Sequence, residues 1–217
     1  MKIIATIPIK RKSERVPGKN FRDINGIPLY QITIEKLKNC DFDKIYVDTD
    51  SEEIKEYCLK NAIEIIDRLP HLAENSANGN DLLNYHSSII NADIYFQIFI
   101  TAPTLSVQSI NNCIKILKNA KNYDSILTVE EIYSWFWFDN NPVNYNPVEL
   151  PRSQDAKPVI KETTGLYGIR KNALLANKCR IGNKPYFFKV DPSETLDLDN
   201  EEDFRTLSLL TKSKKSR

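Results

Sequence analysis

Histidine, methionine and glycine are scarce in this chain, with two, one and six residues respectively. Only His71 and His86 could offer imidazole, and the cysteines at 40, 58, 113 and 179 form no CxxC pair. A zinc-binding pattern is therefore excluded, and isolated reduced thiols are expected. Charge of one sign is missing too. A net charge of +1 leaves no overall field to draw the protein to nucleic acid or a membrane surface. No apolar run approaches the length of a transmembrane helix, and the opening MKIIATIPIK turns basic too soon for a signal peptide. These absences predict a cytoplasmic protein without a nucleic-acid or membrane partner. There is also no GxxxxGK[ST], which removes the ordinary P-loop.

What is present has ordinary proportions. With 41% hydrophobic and 27% charged residues, the chain can bury the core of one domain. Apolar, β-branched runs predict strands at residues 2–9, 44–49, 62–66, 94–100 and 125–129. Helical spacing falls between them, at 27–37, 51–62, 78–90 and 107–120, with Asp50 and Ser51 as caps for the second. Such alternation predicts a mostly parallel sheet covered on both faces. Sheets of this kind bind ligands outside the carboxyl ends of their strands, so the loops after Ile9, Thr49 and Ile100 should converge.

The alternation breaks over 134–158, a proline-bearing stretch in which Trp135, Phe136, Trp137 and Phe138 are consecutive. Four adjacent aromatics argue against exposure to water, and an arm packed on a second subunit fits them. Strands are then expected at 166–169 and 186–190, with helices from Lys171 and over 201–210. The domain spans 1–211, with 134–164 as a dimerisation and substrate arm and 212–217 as a frayed basic tail. His71 and His86 have no evident partner and are expected at the surface or in caps.

Chemistry concentrates after the first strand, in Pro8-Ile9-Lys10-Arg11-Lys12-Ser13-Glu14-Arg15-Val16-Pro17-Gly18-Lys19-Asn20. A nucleoside triphosphate must be neutralised, and its departing pyrophosphate stabilised, before a weak nucleophile can attack phosphorus. Cations, the Ser13 hydroxyl and loop amides would do this, and Gly18 permits the backbone turn such a cradle needs. A solvated run of charge is the blander explanation. A second constellation is Asp197-Leu198-Asp199. Alternate residues of an extended segment share a face, so both carboxylates can present oxygen ligands to Mg²⁺. Against that stands helix capping, with Asp199 or Asn200 starting the last helix.

The motif IPxKxxSxRxPGKN resembles the opening signature of the acylneuraminate and 3-deoxy-octulosonate cytidylyltransferases. Three more segments keep that family's order: Val47-Asp48-Thr49-Asp50-Ser51-Glu52-Glu53, RSQDAKPVIKETTGLYGIRKN from Arg152, and LDLDNEEDF from Leu196. Lys10 stands where an arginine is usual. Thr101-Ala102-Pro103 aligns with T-S-P of the family's Q-P-T-S-P, but no glutamine occupies the expected place.

The resemblance implies a three-layer, Rossmann-like fold of the nucleotide-diphospho-sugar transferase type with a protruding dimerisation arm, hence a homodimer. It implies transfer of CMP from CTP to an acidic 2-keto-3-deoxy sugar for surface glycan biosynthesis, with release of pyrophosphate. Lys10, Ser13, Arg15 and Lys19 would hold the phosphates. Pro8, Asn20, Asn78, Asn80 and Thr101 would flank the nucleotide, and Asp197 with Asp199 would bind Mg²⁺. Arg152, Gln154, Glu162 and Tyr167 would line the sugar pocket, with Arg152 on the carboxylate. Two competing readings remain: a glycosyltransferase holding metal on Asp48 and Asp50, and a non-catalytic CTP-binding homologue.

Overall fold

The computed structural model describes residues 1–13 and 16–215, so Arg15 lies outside the described residues. The chain runs β1 (Ile3–Ile9), β2 (Asp23–Ile24), β3 (Ile27–Pro28), α1 (Leu29–Leu37), β4 (Lys44–Thr49), α2 (Glu52–Lys60) and β5 (Glu64–Asp67). It continues through α3 (Pro70–Ala73), α4 (Gly79–Ile89), β6 (Ile94–Ile98), α5 (Val107–Asn119), β7 (Ser125–Ile132), β8 (Trp137–Phe138) and β9 (Asn141–Pro142). Last come β10 (Val159–Arg170), α6 (Lys171–Asn177), β11 (Pro185–Lys189) and α7 (Glu201–Lys215).

The central sheet has seven strands in the order β11-β7-β10-β6-β1-β4-β5. Only β10 runs antiparallel to its neighbours; β1 is parallel to both β4 and β6. The mostly parallel expectation holds. Its cause is visible in β1 and β6, whose residues are apolar on both faces and almost entirely buried. Alternation then sorts the core into two layers: Ile3, Ala5 and Ile7 join one cluster, while Ile4 joins Tyr95, Leu83 and Leu174 on the other side. Helix α5 shows how a covering helix is specified. Ile110, Cys113, Ile114 and Leu117 recur at helical spacing and are buried, and Ser106 caps the start by accepting from the Ser109 amide.

This strand order has one functional consequence. From β1 the chain builds outward through β4 to β5, then returns to place β6 on the opposite side of β1. Connections diverge there, which opens a crevice at the carboxyl ends of β1 and β6.

Several boundaries differ from expectation. Ile27–Pro28 pair with Asp23–Ile24 in a small hairpin around Asn25 and Gly26, both at positive φ, so α1 starts at Leu29. Strand β10 is 12 residues long, not the four predicted. A register irregularity between Glu162 and Tyr167 interrupts its pairing with β7 and hides its period. Helix α7 continues to Lys215, so the start of the expected frayed tail is helical. The segment around β8 and β9 is an ordered hairpin. Within one chain its aromatics are open to solvent: Trp137 is 57% and Phe138 79% exposed. All four cysteines are free, and burial pushes the Cys58 thiol up to about 11. Among the described residues no helix is long and apolar enough to cross a membrane.

Candidate nucleotide-transfer site

After Ile9 the chain leaves β1 and enters the basic loop, which is held open by its own neighbours. Asn20 donates from Nδ2 to the Lys10 carbonyl at 2.6 Å, and Asp50 accepts the Arg11 amide at 2.6 Å. Gly18 adopts the left-handed conformation, φ 67°, at the entry to the single turn Lys19–Phe21. Asp50 was expected as a helix cap; instead its carboxylate anchors the loop, and Ser51 occupies the cap position of α2.

The loop walls two adjoining clefts. One, of about 830 Å³, is lined by Lys10, Arg11, Lys12, Ser13 and Gly18 on one side and by Asp50 and Asn75 on the other. The second, of about 260 Å³, lies at the β1/β6 crevice between Pro8, Lys10, Ser13, Lys19 and Asn20 and the segment Phe99 to Thr101, with Asp199 facing them. Seven predicted site residues therefore meet at one place: Pro8, Lys10, Ser13, Lys19, Asn20, Thr101 and Asp199. They arrive from three distant parts of the chain.

Backbone contacts fix the acidic side of this cleft. Leu198 is buried, its amide donates to the Thr101 carbonyl at 2.9 Å, and its carbonyl accepts Lys19 Nζ at 2.8 Å. Of the residues on either side, Asp199 is exposed in the cleft and Asp197 is partly buried. The capping alternative resolves cleanly. Asn200 accepts from the amides of Glu202 and Asp203, while the Asp203 carboxylate accepts from the amides of Asp199 and Asn200. Asn200 and Asp203 thus cap α7, and Asp199 lines the cleft. Asp197 accepts from Thr164 Oγ1 through Oδ2, and its buried Oδ1 has no hydrogen-bond partner among the described residues.

Other predicted residues land elsewhere. Tyr167 donates to Glu162 at 2.6 Å, and burial together with that carboxylate holds the phenol well above its ordinary pKa. Arg152 and Gln154 do not join this pair. Both are exposed on the arm, where Arg152, its side chain 74% exposed, pairs with Asp155 at 2.6 Å. Asn78 is the N-cap of α4 in a full capping box, and Asn80 Oδ1 accepts the Arg180 amide at 2.9 Å. Both acceptor oxygens are engaged in holding the fold.

The Asp48-Thr49-Asp50 reading fails on geometry. Asp48 is fully buried at the end of β4, bonded to Arg68 through both carboxylate oxygens at 2.9 and 3.0 Å and to His86 Nε2 at 2.9 Å. Burial opposes its ionisation, but bonds from His86 and Arg68 outweigh it and hold the carboxyl below its ordinary pKa. No oxygen is left for a metal. His86, expected at the surface, is buried at this carboxylate. Sequence reasoning also passed over Gln97 and Arg180, which converge beside Tyr167. No local spacing links positions 97, 167 and 180; a half-buried arginine near a predicted pocket residue is a signal only in three dimensions.

The family model described as "Cytidylyltransferase" matches residues 4–215. N-acylneuraminate cytidylyltransferase A of Danio rerio is 24% identical over 212 residues, covering 93% of this chain and 49% of the relative. The chain spans about half the length of the N-acylneuraminate cytidylyltransferases it matches; that of Streptococcus agalactiae serotype V is covered over 52% of its length. Post-translational flagellin modification protein B of Campylobacter coli is 27% identical, with 98% of this chain and 96% of the relative covered. Among solved structures, a CMP:2-keto-3-deoxy-manno-octonic acid synthetase complexed with CTP superposes with a TM-score of 0.76 at 16% identity, covering 99% of this chain and all of the other. A crevice between a basic loop and an acidic edge, on this sheet and under a family match that runs nearly end to end, places the chain in the cytidylyltransferase family.

Proposed function

We propose that the protein transfers CMP from CTP to an acidic 2-keto-3-deoxy sugar and releases pyrophosphate. The observation that carries this reading is the opposition of Lys10, Ser13 and Lys19 to Asp199 across the crevice at the carboxyl ends of β1 and β6. The larger cleft, walled by Lys10, Arg11 and Lys12, has the charge and room for a triphosphate. In the reaction, the sugar's anomeric oxygen bonds to the α-phosphorus, the bond to the β-phosphate oxygen breaks, and the hydroxyl proton passes to solvent. Lys10, Lys19 and Arg15 would offset the charge on the departing pyrophosphate, while Ser13 donates to a phosphate oxygen. Positioning and electrostatics suffice, and no covalent intermediate is required.

Mg²⁺ fits the acidic edge. Asp197 Oδ1 is a buried carboxylate oxygen without a partner among the described residues, and Asp199 lines the cleft two residues on. Among the described residues no group of three or more His, Cys, Asp or Glu could hold a metal. Two carboxylates are nevertheless enough for Mg²⁺, whose remaining ligands are usually waters and substrate phosphates. An ion held there would lower the charge at phosphorus and orient the triphosphate.

The exposed aromatics of the arm support a homodimer in which Trp137 and Phe138 are covered by the second copy. A single species of monomeric mass in sedimentation at micromolar concentration would contradict that assembly. The activity is tested by pyrophosphate release from CTP, UTP, ATP and GTP across a panel of ulosonic acids. Release that needs both CTP and one acid is expected. Release with another nucleotide, or with none, overturns the reading.

A further inference from the structure

Arg180 follows α6, and its guanidinium lies 3.6 Å from the centroid of the Tyr167 ring and 5.6 Å from that of Phe99. Phe99 itself lines the smaller cleft. The arginine is half-buried, yet among the described residues its guanidinium makes no ion pair and no hydrogen bond. Its backbone is fixed, since its amide donates to Asn80 Oδ1 at 2.9 Å. Desolvating donors without giving them acceptors is costly, and stacking on an aromatic face offsets only part of that cost.

A second unsatisfied group stands beside it. Gln97, on β6, is fully buried; its Nε2 donates to the Gly79 carbonyl at 2.9 Å, and its Oε1 has no partner among the described residues. Gly79 is what lets the two meet. A Cβ there would lie 2.5 Å from Arg180 Nη1 and 3.1 Å from Gln97 Oε1, so an unpaired donor fork and an unpaired acceptor flank one glycine. Two carboxylates act on Tyr167 beside Arg180: Glu162 accepts from the Tyr167 hydroxyl, and Asp197 accepts from Thr164 through Oδ2. Those two carboxylates would repel an acid entering here, and Arg180 supplies a cation that offsets part of that repulsion.

We propose that Arg180 receives the carboxylate of the acceptor sugar through a bidentate contact, with Gln97 Oε1 accepting from a neighbouring hydroxyl. A planar fork of donors matches a carboxylate, and a buried acceptor rejects ligands lacking the hydroxyl. The proposal rests on the acidic-sugar reading above and assigns Arg180 the role that sequence reasoning gave to Arg152.

The test is equilibrium binding, followed by ligand NMR, of N-acylneuraminate and 3-deoxy-manno-octulosonate, each as free acid and as methyl ester, to the full chain. At least one free acid binds the native protein. R180Q weakens it about 10- to 100-fold, while the ester, already weak, changes little. G79A supplies a second route: its methyl group displaces the flexible end of Arg180 without disturbing the helix backbone, and it should weaken the same acid. Equal binding of acid and ester, or of the acid to native, R180Q and G79A proteins, overturns the assignment, as does failure of the native chain to bind either acid. Pyrophosphate release measured in parallel separates the two claims. Turnover that survives with R180Q binding the acid as the native chain does removes Arg180 alone; Arg180-dependent binding without CTP turnover removes the transferase reading alone.

Discussion

Two segments of this chain share the pattern Asp-x-Asp at the carboxyl edge of the sheet, and they have opposite fates. In Asp48-Thr49-Asp50 the first carboxylate is buried against Arg68 and His86, and the second ties down the loop after β1. In Asp197-Leu198-Asp199 only the middle residue is buried; one flanking carboxylate has an oxygen with no partner among the described residues, and the other lines the cleft. The spacing is identical. What differs is position: Arg68 and His86 hold Asp48 in the interior, whereas Asp199 lines the cleft while Asn200 and Asp203 cap α7.

The sharpest way to break this contrast is to remove each charge in turn. Asp48→Ala leaves Arg68 buried without its counter-ion and should cost about 3–5 kcal/mol, read as a fall in urea midpoint or melting temperature. A D48A protein as stable as the native one would deny the structural role. Asp199→Ala should leave stability within about 0.5 kcal/mol of native but lower CTP-dependent pyrophosphate release about 100-fold or more. Full turnover by a folded D199A protein would remove Asp199 from the site.

A smaller effect lies in acid. Because the folded pKa of Asp48 is depressed below its ordinary 3.8, its ionised form stabilises the native state above that pH. The contribution should be lost as pH falls from about 4 through the lowered folded value. Asp48→Asn should flatten that part of the stability curve, whereas Asp199→Asn should not. A parallel acid limb in both variants would contradict the assignment. Smallest is the cap: Asn200→Ala should cost about 1 kcal/mol through α7 while each folded molecule turns over normally. Loss of turnover at unchanged stability would mean that Asn200, not only Asp199, serves the cleft.

Much of this was legible in the sequence because its signals are local. Strands such as KIYVDT and IYFQI announce themselves by continuous apolar, β-branched content, and the basic loop and LDLDNEEDF each occupy one contiguous stretch. What escaped depends on meetings across long separations. His86 looks like a lone polar residue on α4 until β4 and the end of β5 bring Asp48 and Arg68 to it. Arg180 lies 83 positions after Gln97, and nothing in either neighbourhood marks the pair. The antiparallel course of β10 was hidden for a related reason: its irregularity near Thr164, at φ 54°, interrupts the alternation that would have shown its length. The arm reads as irregular and aromatic, but of the residues expected with Tyr167 only Glu162 bonds to it, while Arg152 pairs with Asp155.

The most direct test of the account compares pyrophosphate release by native, D199A and D48N proteins with CTP, Mg²⁺ and the acid that the native chain accepts, at a temperature where all three are folded. The account predicts that D199A loses the reaction while D48N keeps the native rate per folded molecule. The reverse pattern, with D48N inactive and D199A at full rate, would place the chemistry on the other Asp-x-Asp segment and contradict it.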